Sequence, residues 1–267
     1  MGEELADALP DATSTAESLQ LTPVEAPSPP LPFAEWEAER SGALQRAGRP
    51  TTVAASALTD EGEPDSEGEP DPGLLKRPRD LDLPPWLKGR YGTTVGRAVH
   101  GVLQTIDLAS GAGLDEALAA QCEAEAVPDR MSEVRQLVLQ ALGSPSVVEA
   151  AAAAHWREIY SCTPHEGRLL EGYIDLLYRG PDGLVVVDYK TAATSDPEVL
   201  DQRVEGYRLQ GASYALTITT STAEPVARVT FLFLTPDGAV ERHLSNLDAS
   251  VADVRRLVRA GEEVVTD

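Results

Sequence analysis

The apolar residues beyond position 92 follow a helical spacing at first. From residue 93 to 107 they recur every three or four positions, which predicts an amphipathic helix with Thr93 or Thr94 as its N-cap. Pro128 interrupts the pattern that follows. Three further helices are predicted at residues 114–126, 131–142 and 146–154.

The spacing then changes to the alternation typical of strands. Three strands are predicted at residues 155–161, 169–178 and 184–190. The sequence RGPDG between the last two is typical of a hairpin turn, so we expect a three-stranded meander. A helix at residues 197–217, a strand at 226–234, a short strand in AVERHLS after the turn TPDG and a helix at 247–260 follow. This order predicts an α/β domain with a central mixed β-sheet flanked by helices.

The first 75 residues have a different composition. The stretch TDEGEPDSEGEPDP is acidic, rich in Gly and Pro, and contains no large apolar residue. Such a segment cannot bury enough apolar surface to offset the entropy lost on ordering it. We therefore expect residues 1–75 to be a mostly disordered acidic segment, with a short helix around Phe33–Gln45, and residues 76–267 to form the folded domain.

The net charge of −22 argues against a protein that coats DNA, because Lys and Arg supply most non-specific affinity for phosphate. It does not exclude an acidic site that gathers divalent cations, which then screen the phosphate. One basic stretch is either solvated surface charge or a strip that contacts phosphate: Lys76, Arg77, Arg79, Lys88, Arg90 and Arg97.

Several classes of cofactor and partner are not expected. Cys122 and Cys162 do not form a CxxC pair, which excludes a four-cysteine iron–sulfur cluster or zinc ribbon within the chain. No GxxxxGK[ST] loop for a nucleotide is present. The N-terminus does not resemble a signal peptide and no run of about 18 apolar residues occurs, so we expect a cytoplasmic protein without a membrane partner.

Charged residues interrupt the apolar strands of the meander. Asp188 and Lys190 lie two apart, on the same face as Leu184 and Val186, directly after three valines that indicate a buried strand. Asp175 interrupts the preceding strand. Two neighbouring carboxylates repel each other unless a cation lies between them, and oxygen ligands favour Mg²⁺ or Mn²⁺. The alternative is an ion-pair network, each surface pair of which contributes less than ~1 kcal/mol.

Five motifs occur in order along the chain: GRAVH at 96–100, Glu158 in WREIYS, GYID at 172–175, DYKT at 188–191 and QGASY at 210–214. In this order they resemble the RecB-type branch of the PD-(D/E)XK nuclease superfamily, found at the C-terminus of UvrD-like, RecB and AddA recombination helicase–nucleases of actinobacterial type. Together they cover about residues 90–234. The resemblance implies a restriction-endonuclease-like core.

The resemblance also implies roles for individual residues. It implies that the metal is bound by His100, Asp175, Asp188 and the backbone carbonyl of Tyr189. It implies catalytic roles for Asp175, Asp188, Lys190, Glu158, Gln210 and Tyr214. Lys190 would position or deprotonate the attacking water. Glu158, which shares its strand parity with Trp156 and Tyr160, would either bind the metal or orient His100 or a metal-bound water.

The function implied is that of an Mg²⁺-dependent DNA nuclease, with Mn²⁺ as the other candidate metal. Its substrate would be single- or double-stranded DNA ends, in repair or recombination. It would act with a UvrD/AddA-like helicase subunit or as a fragment derived from a helicase. Two alternatives remain at this point: a non-catalytic DNA-binding or scaffolding module that retains the nuclease fold, and a site-specific endonuclease on the same fold.

Overall fold

The computed structural model describes residues 32–47, 52–58, 93–165 and 167–260. It divides into two units, 1–49 and 50–267. In the first unit a single helix is described, α1 (Phe33–Ala47), where the sequence predicted one. The acidic stretch at 59–72 and the basic residues between 76 and 90 lie outside the described residues.

The second unit contains the helices and strands that the spacing of apolar residues predicted from position 93 onward. Its helices are α2 (Thr94–Thr105), α3 (Leu114–Ala124), α4 (Met131–Leu142), α5 (Pro145–Ala151), α6 (Pro197–Thr222) and α7 (Leu247–Ala260). Its strands are β1 (Thr52–Ala54), β2 (His155–His165), β3 (Arg168–Gly180), β4 (Gly183–Thr191), β5 (Val226–Thr235) and β6 (Gly238–His243). None of the helices in the described part of the chain has the length and apolar character that crossing a lipid bilayer requires.

The six strands form one mixed sheet, which confirms the predicted fold class. Strands β2, β3 and β4 form the antiparallel meander, β5 is parallel to β4, and β6 is antiparallel to β5. Strand β1 lies parallel to β3, with Thr52–Ala54 opposite Leu169–Glu171. The sequence did not predict β1, which falls within the segment expected to be mostly disordered.

Helices cover both faces of the sheet. On one face, residues of α2 to α5 form a buried cluster with Val185, Val187 and Tyr189 of β4, which we call the α2 core. On the other face, residues of α6 and α7 form a second cluster with Leu184 and Val186, which we call the α6 core. Because β4 is buried on both faces, it reads as a continuous apolar run.

Helix α6 lies unusually close to the sheet at Gly211. A Cβ atom at this position would lie 2.9 Å from Cζ of Phe231 and 2.9 Å from Cγ1 of Val229, both buried in the α6 core. The helix begins after Asp196, whose side chain accepts the N–H of Glu198 at 2.9 Å. Glycine therefore sets the distance between α6 and β5, and with it the height of the neighbouring side chains above the sheet.

We expect Gly211→Ala to lower the free energy of unfolding by about 1–2 kcal/mol. Overpacking a rigid core costs about 1–3 kcal/mol, and the better helix propensity of alanine offsets up to about 1 kcal/mol of this. Urea denaturation of both proteins measures the difference. In the control variant Gly143→Ala the new methyl group makes only ordinary contacts, the nearest 3.6 Å away, and the stability should stay equal or rise slightly. A Gly211→Ala protein as stable as the wild type would contradict the close approach of α6.

Candidate active site

Strands β3 and β4 pair next to their hairpin turn and separate farther from it. Strand β3 pairs with β4 over Leu176–Gly180 and with β1 over Leu169–Glu171. Between these stretches the edge of β3 opens at residues 172–175. Asp175 lies at the point of separation, and its Oδ2 accepts the backbone N–H of Tyr189 in β4 at 2.6 Å. A side-chain oxygen thus takes the place of a backbone acceptor.

The alternation of side chains between the two faces of β3 is also interrupted at Asp175. Leu170 and Ile174 pack in the α6 core, whereas Leu176 and Tyr178 pack in the α2 core. Strict alternation would place Ile174 and Leu176 on the same face. Two consecutive residues, Asp175 and Leu176, are therefore directed toward the side of α2.

Strand β2 carries a matching irregularity at Glu158. This residue has a φ of 48°, a left-handed conformation that costs about 1 kcal/mol or more for a non-glycine residue and is concentrated at functional sites. Arg157 on one side donates to the carbonyl of Leu103 in α2, while Ile159 on the other side packs against the α6 core. The carboxylate of Glu158 consequently joins that of Asp175 on the side of α2.

Trp156 and Tyr160, which share strand parity in the sequence, are separated by this irregularity. Trp156 pairs with Leu177, a residue of the α6 core, whereas Tyr160 pairs with Tyr173 on the opposite face. Parity along β2 is therefore not preserved across Glu158.

Helix α2 brings His100 to the separation. Thr93 caps the helix by accepting the N–H of Gly96 at 2.9 Å, as predicted. A Cβ atom on Gly96 would lie 3.1 Å from Oγ1 of Thr191, so the start of α2 lies directly against the end of β4. One turn later, His100 reaches the strands.

Both ring nitrogens of His100 face hydrogen-bond acceptors. Nδ1 lies 3.1 Å from Oδ1 of Asp175, and Nε2 lies 3.1 Å from the backbone carbonyl oxygen of Tyr189. Burial alone would lower the pKa of His100, but the charge of Asp175, its hydrogen bond and the charge of Glu158 raise it to about 9. With this pKa the ring is an imidazolium at neutral pH and donates to both acceptors.

His100, Glu158 and Asp175 form a compact group of metal-ligating atoms. One donor atom from each lies within 4.8 Å of the others. Burial and the charge of Asp175 raise the pKa of Glu158 to about 7, although His100 lowers it. Burial likewise raises the pKa of Asp175, but His100, Lys190 and the Tyr189 N–H bring it below its usual value. Two carboxyl groups therefore lie close together, and the proton on His100 partly offsets their negative charge.

Asp188 and Lys190 lie on the face of β4 that packs against α6. Asp188 is buried, and Lys190 Nζ lies 2.6 Å from its Oδ2 as an ion pair. That oxygen makes no hydrogen bond of regular geometry with any described group. Burial and the charge of Asp175 raise the pKa of Asp188 above its usual value, whereas Lys190 lowers it. Asp188 is thus close enough to Asp175 for the two charges to interact.

Helix α6 holds the ammonium of Lys190 in place. Lys190 Nζ donates to Oε1 of Gln210 at 3.2 Å, and Nε2 of Gln210 donates to the hydroxyl of Tyr214 at 2.8 Å. The same ammonium lies 4.3 Å from the ring centroid of Tyr207, within the range of a cation–π contact. Tyr207 belongs to none of the five motifs, and its position in the sequence gave no sign of the contact with Lys190.

The donor chemistry fits a divalent cation. An imidazole and two carboxylates form the compact donor group, and Asp188 and the carbonyl of Tyr189 add oxygen ligands of the kind that Mg²⁺ or Mn²⁺ accepts. The structure brings His100, Glu158, Asp175 and the carbonyl of Tyr189 together at this separation between β3 and β4. Gln210 and Tyr214 lie farther off on α6 and join the site through Lys190. Within it, Glu158 belongs to the compact donor group, and Asp188 lies beside that group with Lys190.

Comparison with known proteins gives one match by family. Residues 76–265 match the PD-(D/E)XK nuclease superfamily. No curated protein sequence matches the chain at a significant level.

Two solved structures resemble parts of the chain. The crystal structure of a protein named SSO0001 is 11% identical, covers 88% of this chain and 87% of its own, and gives a TM-score of 0.36. A protein of Eubacterium rectale provisionally named an exonuclease is 17% identical, covers 64% of this chain and 67% of its own, and gives a TM-score of 0.44. The family match extends over most of the chain, and the chain therefore belongs to the PD-(D/E)XK nuclease superfamily.

Proposed function

We propose that this protein is a metal-dependent deoxyribonuclease that hydrolyses phosphodiester bonds. The observation that carries the proposal is the compact donor group of His100, Glu158 and Asp175 beside the Asp188–Lys190 ion pair. Membership of a nuclease superfamily supports the same reaction class. Mg²⁺ is the metal we expect, with Mn²⁺ as the alternative, because carboxylate and carbonyl ligands suit both ions.

The residues proposed to hold the metal are His100, Asp175, Asp188 and the carbonyl of Tyr189, with Glu158 as a ligand or as the partner of a bound water. A divalent cation at this position polarises the phosphate and lowers the pKa of a bound water. The imidazolium proton of His100 has to leave before the ring can act as a ligand. The Tyr189 N–H keeps the Asp175 carboxylate oriented.

Lys190 is proposed as the residue that positions the attacking water and offsets negative charge on the phosphate. Its ammonium is held from three sides, by Asp188, Gln210 and the ring of Tyr207. A cation fixed in advance stabilises developing charge without reorganising during the reaction. Gln210 and Tyr214 are proposed to act through Lys190 as positioning residues.

The biological setting is proposed from the five motifs. Their resemblance to the RecB-type branch supports DNA ends as the substrate and a role in repair or recombination. It also supports action beside a UvrD/AddA-like helicase subunit, in the cytoplasm.

Asp188→Asn and Lys190→Ala should each lower the rate of DNA cleavage by about 100-fold or more. Asp188→Asn weakens a proposed metal ligand, and Lys190→Ala removes the cation proposed to offset charge on the phosphate. The measurement is the degradation of end-labelled single- and double-stranded DNA with Mg²⁺ or Mn²⁺. Asp201→Asn is the control and should cleave at the wild-type rate. Asp201 is an exposed carboxylate of α6, and the change weakens its ion pair with Arg242 of β6.

Equal degradation by all these proteins would show that cleavage does not use this site. Binding of DNA by the wild type without any cleavage would instead favour a non-catalytic DNA-binding or scaffolding module on the nuclease fold.

Mn²⁺ or Mg²⁺ should raise the thermal stability of the wild type but not that of Asp175→Asn or His100→Ala. A ligand that binds only the folded state stabilises it by about 2.7 kcal/mol at 100 times its Kd. The measurement is the melting temperature with and without each metal. Asp237→Asn is the control, because this exposed carboxylate accepts the hydroxyl of Ser195, while the hydrogen bond to Thr235 in the hairpin turn is made by the backbone N–H of Asp237. A metal-dependent rise of wild-type size in Asp175→Asn would place the metal elsewhere.

A further inference from the structure

Two tyrosine rings lie exposed beside the donor group. Tyr160 of β2 and Tyr173 of β3 are direct cross-strand partners, with ring centroids 5.2 Å apart. Tyr160 is 46% exposed and Tyr173 is 60% exposed. We call these two residues the tyrosine pair. Large aromatic side chains usually bury most of their surface, so two neighbouring exposed rings form a conspicuous apolar surface.

The tyrosine pair lies on the same face of the β2–β3 ribbon as the metal ligands. Ile159 and Ile174, which are also cross-strand partners, both pack toward the α6 core. Their neighbours on either side therefore face the opposite way, the tyrosine pair on one side and Glu158 with Asp175 on the other. The two pairs are separated by two residues along the strands, which is about 7 Å. One nucleotide spans a distance of this size.

The ring of Tyr160 is fixed in its exposed position. Its hydroxyl donates to Oε2 of Glu171 at 2.5 Å, and this bond is the main reason that the pKa of Tyr160 is raised. Glu171 lies on β3, two residues before Tyr173, so the anchor comes from the same ribbon. A preordered ring loses little conformational entropy when a ligand stacks on it.

Exposed aromatic rings beside a nuclease centre suit nucleobases. Stacking of a base on an aromatic side chain contributes about 1–3 kcal/mol and does not depend on base identity. Bases in a duplex stack on one another, so only a single strand or an opened end presents free base faces. In a chain of net charge −22, neutralisation of phosphate by basic residues contributes less than usual to the affinity for DNA. Stacking therefore accounts for a larger share of that affinity.

We propose that the tyrosine pair is a stacking platform for the base next to the cleaved phosphate, so that the chain acts on single-stranded DNA or on opened ends. The inference rests on the proposed nuclease function for its position in the reaction, while the binding of bases is testable without cleavage.

The test compares the binding of two labelled strands to the full chain in metal-free buffer with EDTA. One strand is polythymidine, and the other has the same length and phosphates but abasic sugars. The wild type should bind polythymidine more tightly. In Tyr173→Val, which keeps a strand-forming residue but removes the ring, the affinity for polythymidine should fall by about 5- to 150-fold toward that of the abasic strand. Tyr173→Trp should retain the preference.

Trp156→Ala is the matched control. Trp156 is an aromatic residue of the same strand, 43% exposed, but it pairs with Leu177 on the opposite face. Its replacement should leave the preference for polythymidine unchanged. Equal binding of the two strands by the wild type, or wild-type preference in Tyr173→Val, would overturn the platform and assign the tyrosine pair to sheet stability alone.

Cleavage kinetics separate this inference from the proposed function. With metal present, Tyr173→Val should raise KM for single-stranded DNA and leave kcat and the melting temperature close to wild type. Preferential binding of polythymidine by a wild type that cleaves no DNA would support the platform and refute the nuclease. Cleavage with a KM unaffected by Tyr173→Val would support the nuclease and refute the platform.

Discussion

Asp175 connects three elements at the point where β3 and β4 separate. One of its oxygens accepts the backbone N–H of Tyr189 in β4, and the other lies against His100 of α2. The residue is buried, and a buried carboxylate without partners costs several kcal/mol. The separation of the strands is therefore stable only because a side chain supplies the acceptor that the neighbouring backbone would have supplied.

The charges around Asp175 largely offset one another. Asp175 and Asp188 are offset by the imidazolium of His100 and the ammonium of Lys190. Glu158, with a pKa of about 7, is only partly ionised at neutral pH. A divalent cation that replaces the proton of His100 would keep the total charge nearly balanced. One donor atom from each of His100, Glu158 and Asp175 already lies within 4.8 Å of the others, as in a preorganised site.

The order of helices and strands could be predicted because each element has a long and consistent apolar period. Three consecutive valines marked β4 as buried on both faces, and the parity of β4 placed Asp188 and Lys190 together, as the structure shows. The five motifs contain the three residues of the compact donor group and both residues of the Asp188–Lys190 ion pair. These features depend on local sequence, which a pattern can capture.

The irregular backbone of the β2–β3 ribbon could not be predicted from the same patterns. A prediction from parity assumes that successive side chains alternate between the two faces of the sheet. The left-handed conformation of Glu158 interrupts this alternation. Trp156 and Tyr160 therefore face opposite sides despite their equal parity. The contact of Lys190 with Tyr207 was missed for a related reason: it depends on the height of α6 above the sheet, which the close approach at Gly211 sets.

The separation of β3 and β4 also explains why a strand of three residues forms at all. Where β4 no longer pairs with β3, the edge of β3 would present unpaired N–H and C=O groups. Proteins generally cover such an edge. Strand β1 pairs with this edge at Leu169–Glu171, and Ala55 directly after it is fully buried in the α6 core together with Tyr214. Thr52–Ala54 lies outside the residues that match the family, and its sequence has no strong strand pattern. Its structure is determined by the edge that it covers, so the break in pairing that admits Asp175 also creates the binding surface for β1 beside the site.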